Sequence, residues 1–525
     1  MSDARETIAA GRGVLGIELG STRIKACLVG DDLEVLAVGA HEWENAFVDR
    51  RWTYSQGEVE SGLQAAYRDL VADVRRRYDV ELGALAAVGV SAMMHGYLAF
   101  DAAGELLVPF RTWRNTSTGL AAEELSALFG VNIPMRWSIA HLHQAILDDE
   151  PHVREVASIT TLAGLVHRRL TGRDVLGVGD ASGMFPIDSA THDYDETLVQ
   201  RFDDLAAGRV PPLRELLPEV LDAGADAGAL TVDGAAFLDP SGVLAAGALL
   251  CPPEGDAGTG MVATNSVAPR EGTVSVGTSV FAMVVLERPL TAVHHEVDLV
   301  TTPAGDPVAM VHCNNGASEL AAWAGLFTRF AAAAGTPIAP DAVFEILFRE
   351  ALQGDGDAGG LLAYNLLAGE PVVQLEEGRP LFVRTPDSRL TLANFIRAQL
   401  YAVFGTLGLG MRVLASEGVR LDRMLAHGGL FRTEGVAGRF LAAALDAPVA
   451  VGESAAEGGA WGIAVLAAYT ASGAEVDLST YLTDTVFRTA EFRTVEPDAA
   501  DVEAFASYLE RYEAGLALQR LAITL

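Results

Sequence analysis

Apolar residues come in short runs that end in glycine and pass at once into hydroxyl-bearing turns. Val14-Leu-Gly-Ile-Glu-Leu-Gly20 is the first such run; Ser21-Thr-Arg-Ile-Lys25 makes the turn, and Ala26-Cys-Leu-Val29 returns as a second strand. Asp31-Asp32 closes a further hairpin into Glu34-Val-Leu-Ala-Val38, so the start of the chain predicts a β-meander. From Val59 to Tyr78 the spacing becomes helical, with Leu63, Ala66, Leu70 and Val74 on one stripe. Ala86-Ala-Val-Gly-Val90 predicts a buried strand. Tyr97-Leu-Ala-Phe100 with Asp101-Ala-Ala-Gly104 predicts another hairpin, and a long helical region follows from Gly119 to Leu170.

The pattern then recurs. Gly272-Thr-Val-Ser-Val-Gly277 is again a strand ending in glycine, followed by Thr278-Ser279 and the strand Val280–Val285. Helical spacing dominates from Leu320 to Val413. Leu425-Ala-His-Gly428-Gly429 is a third strand-to-glycine element, Ala447–Val451 a short strand, and Gly458-Gly-Ala-Trp-Gly462 opens a helix of small residues. Two halves built alike predict two related α/β domains with a boundary near Pro269, at 12–268 and 269–525. Residues 470–525 read as a strand-poor helical tail, whose helix Val502–Leu518 offers a surface for a homodimer.

Length and composition narrow the class. A chain of 525 residues favours at least two domains. The formal net charge of −33 repels phosphate backbones and anionic membranes, which argues against nucleic-acid and membrane partners. Cys27, Cys251 and Cys313 form no paired motif, as expected in a reducing cytosol. The first residues lack the apolar core of a signal peptide, and no uninterrupted apolar run approaches the roughly 18 residues of a membrane span. A cytoplasmic, soluble protein is the expectation. Lys25 is the only lysine in the chain, so no Gly-Lys pair and no Walker A loop exists.

A glycine-terminated turn that presents backbone N–H groups and hydroxyls suits a phosphate, because its amides form a concave anion site. Singly such a turn is ordinary hairpin chemistry; one in each half would clamp a polyphosphate from two sides. Gly11-x-Gly13-x-x-Gly16 matches the dinucleotide fingerprint by letter, but it precedes a strand instead of following one, and is discarded.

These residues carry a resemblance to the FGGY family of sugar kinases, of the actin/hexokinase-like ATPase superfamily, and most of all to its xylulokinase and ribulokinase branch. Gly16-Ile-Glu-Leu-Gly-Ser-Thr-Arg-Ile-Lys25 resembles the first phosphate motif, and Ser91-Ala-Met-Met-His-Gly96 the sugar-site segment. Leu170-Thr-Gly172 with Asp180-Ala-Ser182 resembles a further landmark. Glu254-Gly-Asp-Ala-Gly258 stands where the family keeps its catalytic aspartate, Ser275-Val-Gly-Thr-Ser279 resembles the second phosphate motif, and His427-Gly-Gly-Leu430 the nucleoside motif. The resemblance implies two actin-like (ribonuclease H-like) domains with a cleft between them. It also implies phosphorylation of a sugar hydroxyl by ATP with Mg²⁺, with a ketopentose such as D-xylulose, converted to its 5-phosphate, as acceptor. Another sugar, polyol or sugar acid is the alternative substrate.

The resemblance also implies roles. Asp256 is the expected base and Glu18, with Asp256, the expected Mg²⁺ ligand, although the family usually has aspartate at the position of Glu18. Met94, His95, Trp113 and Asn115 are expected at the sugar. Gly20, Ser21, Thr22, Lys25, Gly277, Thr278, Asn315, Gly428, Gly429 and Arg432 are expected at the nucleotide. The run Trp113-Arg114-Asn115-Thr116 departs from the family, which typically has aspartate two residues after this tryptophan.

The rivals are a non-catalytic sugar- or nucleotide-binding regulator on the same fold and an ATPase that moves a partner. Both carboxylates argue against the first, and the absence of a docking module in residues 470–525 against the second. His294-His-Glu-Val-Asp298 lacks the i, i+4 ligand spacing of a helical metal site, and His141 and His143 stand two apart on a helix, facing different ways.

Overall fold

The structure, a computed structural model, describes residues 2–452 and 458–524. The chain divides into two compact units. The first comprises Met1–Val267, Leu299–Val308 and Ser454–Thr489; the second comprises Ala268–Asp298, Ala309–Glu453 and Ala490–Leu525. The single boundary expected at 268/269 is therefore crossed again by two later segments that return to the first unit.

The first unit is built on a six-stranded sheet. The strands Val14–Leu19, Arg23–Val29 and Val35–Glu42 form the expected antiparallel meander, and Ala87–Ala92 joins Val14–Leu19 in parallel. The turn is tighter than expected: the second strand begins at Arg23, so Lys25 lies on the strand. Helix Gln56–Tyr78 packs on this sheet with Leu63, Ala66, Leu70 and Val74 buried. It starts where Ser55 and Glu58 form a reciprocal capping box and ends with three arginines against the negative end of its dipole.

Helix Gly459–Ala471 explains why the later segment returns. It packs on Val14–Leu19 and Ala87–Ala92 with almost no side-chain thickness between the backbones. A Cβ on Gly16 would lie 2.0 Å from the carbonyl of Ala460, and one on Gly462 would lie 2.2 Å from that of Thr259. The glycine that completes the discarded fingerprint is thus a packing glycine.

The helical stretch expected from Gly119 to Leu170 is interrupted. A loop over 130–137 separates helices Gly119–Phe129 and Ser138–Leu147, and the 3₁₀ turn Pro151–Arg154 with the strand Ser158–Thr160 separates the latter from helix Leu162–Thr171.

In the second unit the strands Val280–Val285, Glu271–Val276, Arg423–His427, Val449–Gly452 and Phe492–Val495 run consecutively in a seven-stranded sheet. The tail is mostly helical, as expected, and its strand Phe492–Val495 extends that sheet. Its main helix is Ala499–Ala514. Its residues Phe505, Tyr508 and Tyr512 are buried, with Phe505 edge-on to Tyr401 of helix Leu392–Ser416 at 5.1 Å and Tyr508 tilted against the same ring at 4.9 Å. Among the described residues, Leu392–Ser416 is the one helix long and apolar enough to cross a membrane, and it is mostly buried inside the protein.

Candidate active site

Parallel strands place their chemistry at their carboxyl ends, where backbone N–H groups and loops converge. In the first unit three such ends meet. Glu18 and Ser91 are register partners, as are Ser91 and Glu254, and the N–H of Met93 donates to the carbonyl of Leu19 at 3.0 Å. Just beyond them come Gly20, Met94 and Asp256. Asp256 is the first residue of helix Asp256–Ala263, and its Oδ1 accepts from the N–H of Met94 at 3.3 Å. Burial pushes its carboxyl up to about 6, against the amide bonds that favour the charge.

Behind Asp256 stand two fully buried carboxylates whose partnership sequence reasoning missed. Asp180 accepts from the Thr161 hydroxyl at 2.6 Å, and Glu254 accepts from the N–H of Asp180 at 2.9 Å and of Gly179 at 3.3 Å. Burial raises both, Asp180 to about 7, with the charge of Asp256 adding to it. Glu254 lay within the quoted Glu-Gly-Asp run; a glutamate on an otherwise buried strand was the available signal.

The turn Gly20–Thr22 is held by aromatic donors. Trp43 Nε1 donates to the carbonyl of Gly20 at 2.8 Å, Tyr54 Oη to that of Ser21 at 2.6 Å, and Trp113 Nε1 to Ser21 Oγ at 3.3 Å. Trp43 and Tyr54 stack at 4.1 Å. Neither had been singled out, because nothing in their local pattern distinguishes them from core residues. With its carbonyls taken, the turn is rigid, and Thr22 remains exposed.

Of the sugar-side residues, Met94, His95 and Trp113 gather here and Asn115 does not act as expected. His95 adopts a φ of 68° and its Nδ1 lies 3.2 Å from the carbonyl of Gly183, which assigns the proton to Nδ1. Asn115 is buried. Its Oδ1 accepts from the N–H of Trp52, and its Nδ2 donates to the carbonyls of Trp52 and Thr112. Its polar atoms are consumed in pinning the strand Arg51–Thr53, so it is corrected to a structural residue.

Glu18 and Lys25 are register partners across the first hairpin, so Lys25 flanks Glu18 and is not part of the turn. A Cβ on Gly459 would lie 2.5 Å from Glu18 Oε1 and 3.1 Å from Thr259 Oγ1, so the Glu18 carboxyl sits at the start of the small-residue helix beside a hydroxyl. The described residues contain no group of three or more metal-ligating side chains. By donor chemistry a carboxylate such as Glu18 or Asp256 suits Mg²⁺, which keeps most of its waters and takes one or two protein carboxylates besides substrate phosphates.

In the second unit the parallel strands Glu271–Val276 and Arg423–His427 end side by side, Ser275 opposite His427. Their turns, Gly277-Thr278 and Gly428-Gly429, are exposed neighbours. Gly428 has φ 116°, and a Cβ on it would lie 2.2 Å from the carbonyl of Val276. Arg432 is exposed at the end of the 3₁₀ turn Gly429–Arg432. Asn315 is a second correction. Its Oδ1 accepts from the N–H groups of Leu367 and Ala368 at 2.8 and 2.9 Å, and its Nδ2 donates to Glu370 at 3.0 Å. Buried and fully engaged, it braces the loop beneath the turn. The N–H groups of Gly316 and Ala317 donate to the carbonyls of Thr278 and Gly277, and helix Ser318–Ala333 starts there. Along that helix runs a cavity of about 600 Å³ lined by Ala321, Gly325, Leu326, Arg329, Pro340 and Phe344.

A doubled α/β architecture with glycine turns at strand ends and an aspartate at a helix start defines the actin-like class of phosphotransferase folds. The chain belongs to the FGGY family of carbohydrate kinases: the model of that family's N-terminal domain matches residues 13–248 and that of its C-terminal domain residues 272–471. It is 27% identical over 303 residues to xylulose kinase of Escherichia coli (strain K12), an alignment that spans 53% of this chain and 56% of that protein. The chain thus covers about half the length of that curated relative. Its fold is shared with the xylulose kinase of Rhodospirillum rubrum, at a TM-score of 0.78 and 19% identity over 97% of this chain and 99% of that one. It is also shared with the gluconate kinase of Lactobacillus acidophilus, at 0.76 and 16% over 97% and 98%.

Proposed function

We propose that the protein phosphorylates a hydroxyl of an open-chain carbohydrate at the expense of ATP. The observation that carries this is Asp256: a carboxylate at the end of the parallel strands, fixed by the Met94 amide, with a proton affinity raised towards neutrality. The acceptor oxygen bonds to the γ-phosphorus as the bond from phosphorus to the ADP oxygen breaks, and the acceptor's proton passes to a carboxylate oxygen of Asp256. Met94 and His95 orient the acceptor, and Trp113 gives its carbon skeleton an apolar wall.

The turns Gly20–Thr22, Gly277-Thr278 and Gly428-Gly429 offer amides to phosphate oxygens. The apolar cavity along helix Ser318–Ala333 suits adenine. Glu18 and Asp256 would hold Mg²⁺, which supplies charge neutralisation on the phosphates. ATP as donor implies a cytoplasmic protein.

Similarity favours D-xylulose, converted to its 5-phosphate, as the first acceptor to test; the gluconate kinase of like fold keeps sugar acids in the set. The reading is tested by ADP release with ATP and Mg²⁺ across ketoses, polyols and sugar acids, with the phosphorylated product identified by ³¹P NMR. Acceptor-dependent ADP and a new phosphate ester support it. ADP release that no acceptor stimulates contradicts it, and would favour the partner-driving ATPase.

A further inference from the structure

Arg114 is an exposed cation held in place beside the turn Gly20–Thr22. Its guanidinium carbon lies 4.3 Å from the ring centre of Trp52 and 6.0 Å from that of Trp113, and its charge acts on Tyr54. The residues on either side are anchored. Trp113 donates to Ser21 Oγ, and Asn115 is bonded to both backbone groups of Trp52. A stacked guanidinium between two pinned neighbours has little freedom to lose on binding.

Its surroundings are unusual for this chain. With 70 acidic residues against 37 basic ones, carboxylates are plentiful. Nearby arginines take them: Arg23 pairs with Glu42 at 2.7 Å, and Arg51 and Arg111 both pair with Glu150. Among the described residues Arg114 has no carboxylate partner, only indole faces. Three hydrogen bonds, linked by short stretches of chain, connect its neighbour Trp113 to the proposed base: Trp113 to Ser21, Met93 to Leu19 at the strand end, and Met94 to Asp256.

We infer that the acceptor is an open-chain polyhydroxy acid, with Arg114 binding its carboxylate while a hydroxyl faces Asp256. This rests on the kinase reading and narrows it. Arginine offers a planar fork that matches a carboxylate, and a charge-assisted bond from a guanidinium held against two indoles discriminates against a neutral analogue. D-xylulose lacks the anion and is accordingly a poorer acceptor than an acid of similar length.

The test uses the full-length protein, ATP and Mg²⁺ with matched pairs, D-xylonate against xylitol and D-gluconate against D-glucitol, together with 2-keto acids of the same lengths and D-xylulose. The parent should prefer the acids in kcat/KM by at least about 10-fold. Arg114→Gln should lower the acid-to-neutral ratio by about 10- to 100-fold, through the KM of the acid, and Arg114→Lys should restore part of it. A neutral acceptor preferred by the parent, with a ratio unmoved by Arg114→Gln, overturns the inference and leaves the kinase reading intact. A loss in the KM of ATP instead assigns Arg114 to the nucleotide and also overturns it. If no compound in either series is phosphorylated, the kinase reading falls first.

Discussion

The N–H of Met94 donates to Oδ1 of Asp256 at 3.3 Å, joining residues 162 positions apart in the chain. The bond ties the sugar-site segment to the proposed base, so displacing one displaces the other. Burial, the dominant influence, holds the Asp256 carboxyl at about 6, so the base is ionised only above that pH. The profile of kcat/KM for the free enzyme should therefore fall about tenfold per pH unit below roughly 6. A profile flat down to pH 4.5 would remove Asp256 as the base.

Glu150 gives a separate pH effect. Burial works against its charge, but His152, Arg111 and Arg51 outweigh that and hold it at about 2, against an ordinary 4.5. A carboxyl with a lowered folded pKa contributes stability that is full above its unfolded value and lost as pH falls through the folded one. The shift corresponds to about 3 kcal/mol. Glu150→Gln should lower stability by about that amount at pH 7, and the gap to the parent should close between pH 4.5 and 2, as followed by urea unfolding.

Gly428 and Gly429 make a paired test of the nucleotide turn. Gly428→Ala meets both a left-handed φ and the carbonyl of Val276, so Tm should fall, by at least about 1 kcal/mol of stability. Gly429 has open space around the position of a Cβ. Gly429→Ala should keep its Tm and, on the proposed function, raise the KM for ATP by about 10-fold, because a methyl group there would crowd a phosphate bound at the turn.

Asn315→Ala should do the opposite. Removing its side chain leaves the N–H groups of Leu367 and Ala368 and the buried Glu370 carboxylate short of a partner each, at a cost of about 1–3 kcal/mol. The KM for ATP of the folded fraction should stay within about threefold of the parent.

How far the sequence disclosed this arrangement depends on the range of the interaction. The runs Val14–Leu19, Glu271–Val276 and Arg423–His427 were legible as strands because apolar residues and a terminal glycine are local signals. Asp256 was marked only by the resemblance of Glu254-Gly-Asp-Ala-Gly258 to a family segment, because the run by itself reads as an ordinary turn. The return of helix Gly459–Ala471 to the first unit was not, since it depends on Gly16 meeting Ala460 across more than four hundred residues. The same holds for Trp43 and Tyr54, whose task is set by the carbonyls they reach. Asn115 and Asn315 misled for the complementary reason: a polar residue in a turn reads alike whether it faces a ligand or satisfies buried backbone.

The central claim is that Asp256 takes the acceptor's proton, and Asp256→Asn tests it most directly. Steady-state turnover with the best acceptor, read beside calorimetric binding of ATP and acceptor, should show kcat reduced by at least about 10³-fold with both dissociation constants within about threefold of the parent. A variant that keeps kcat within about threefold of the parent would contradict the account.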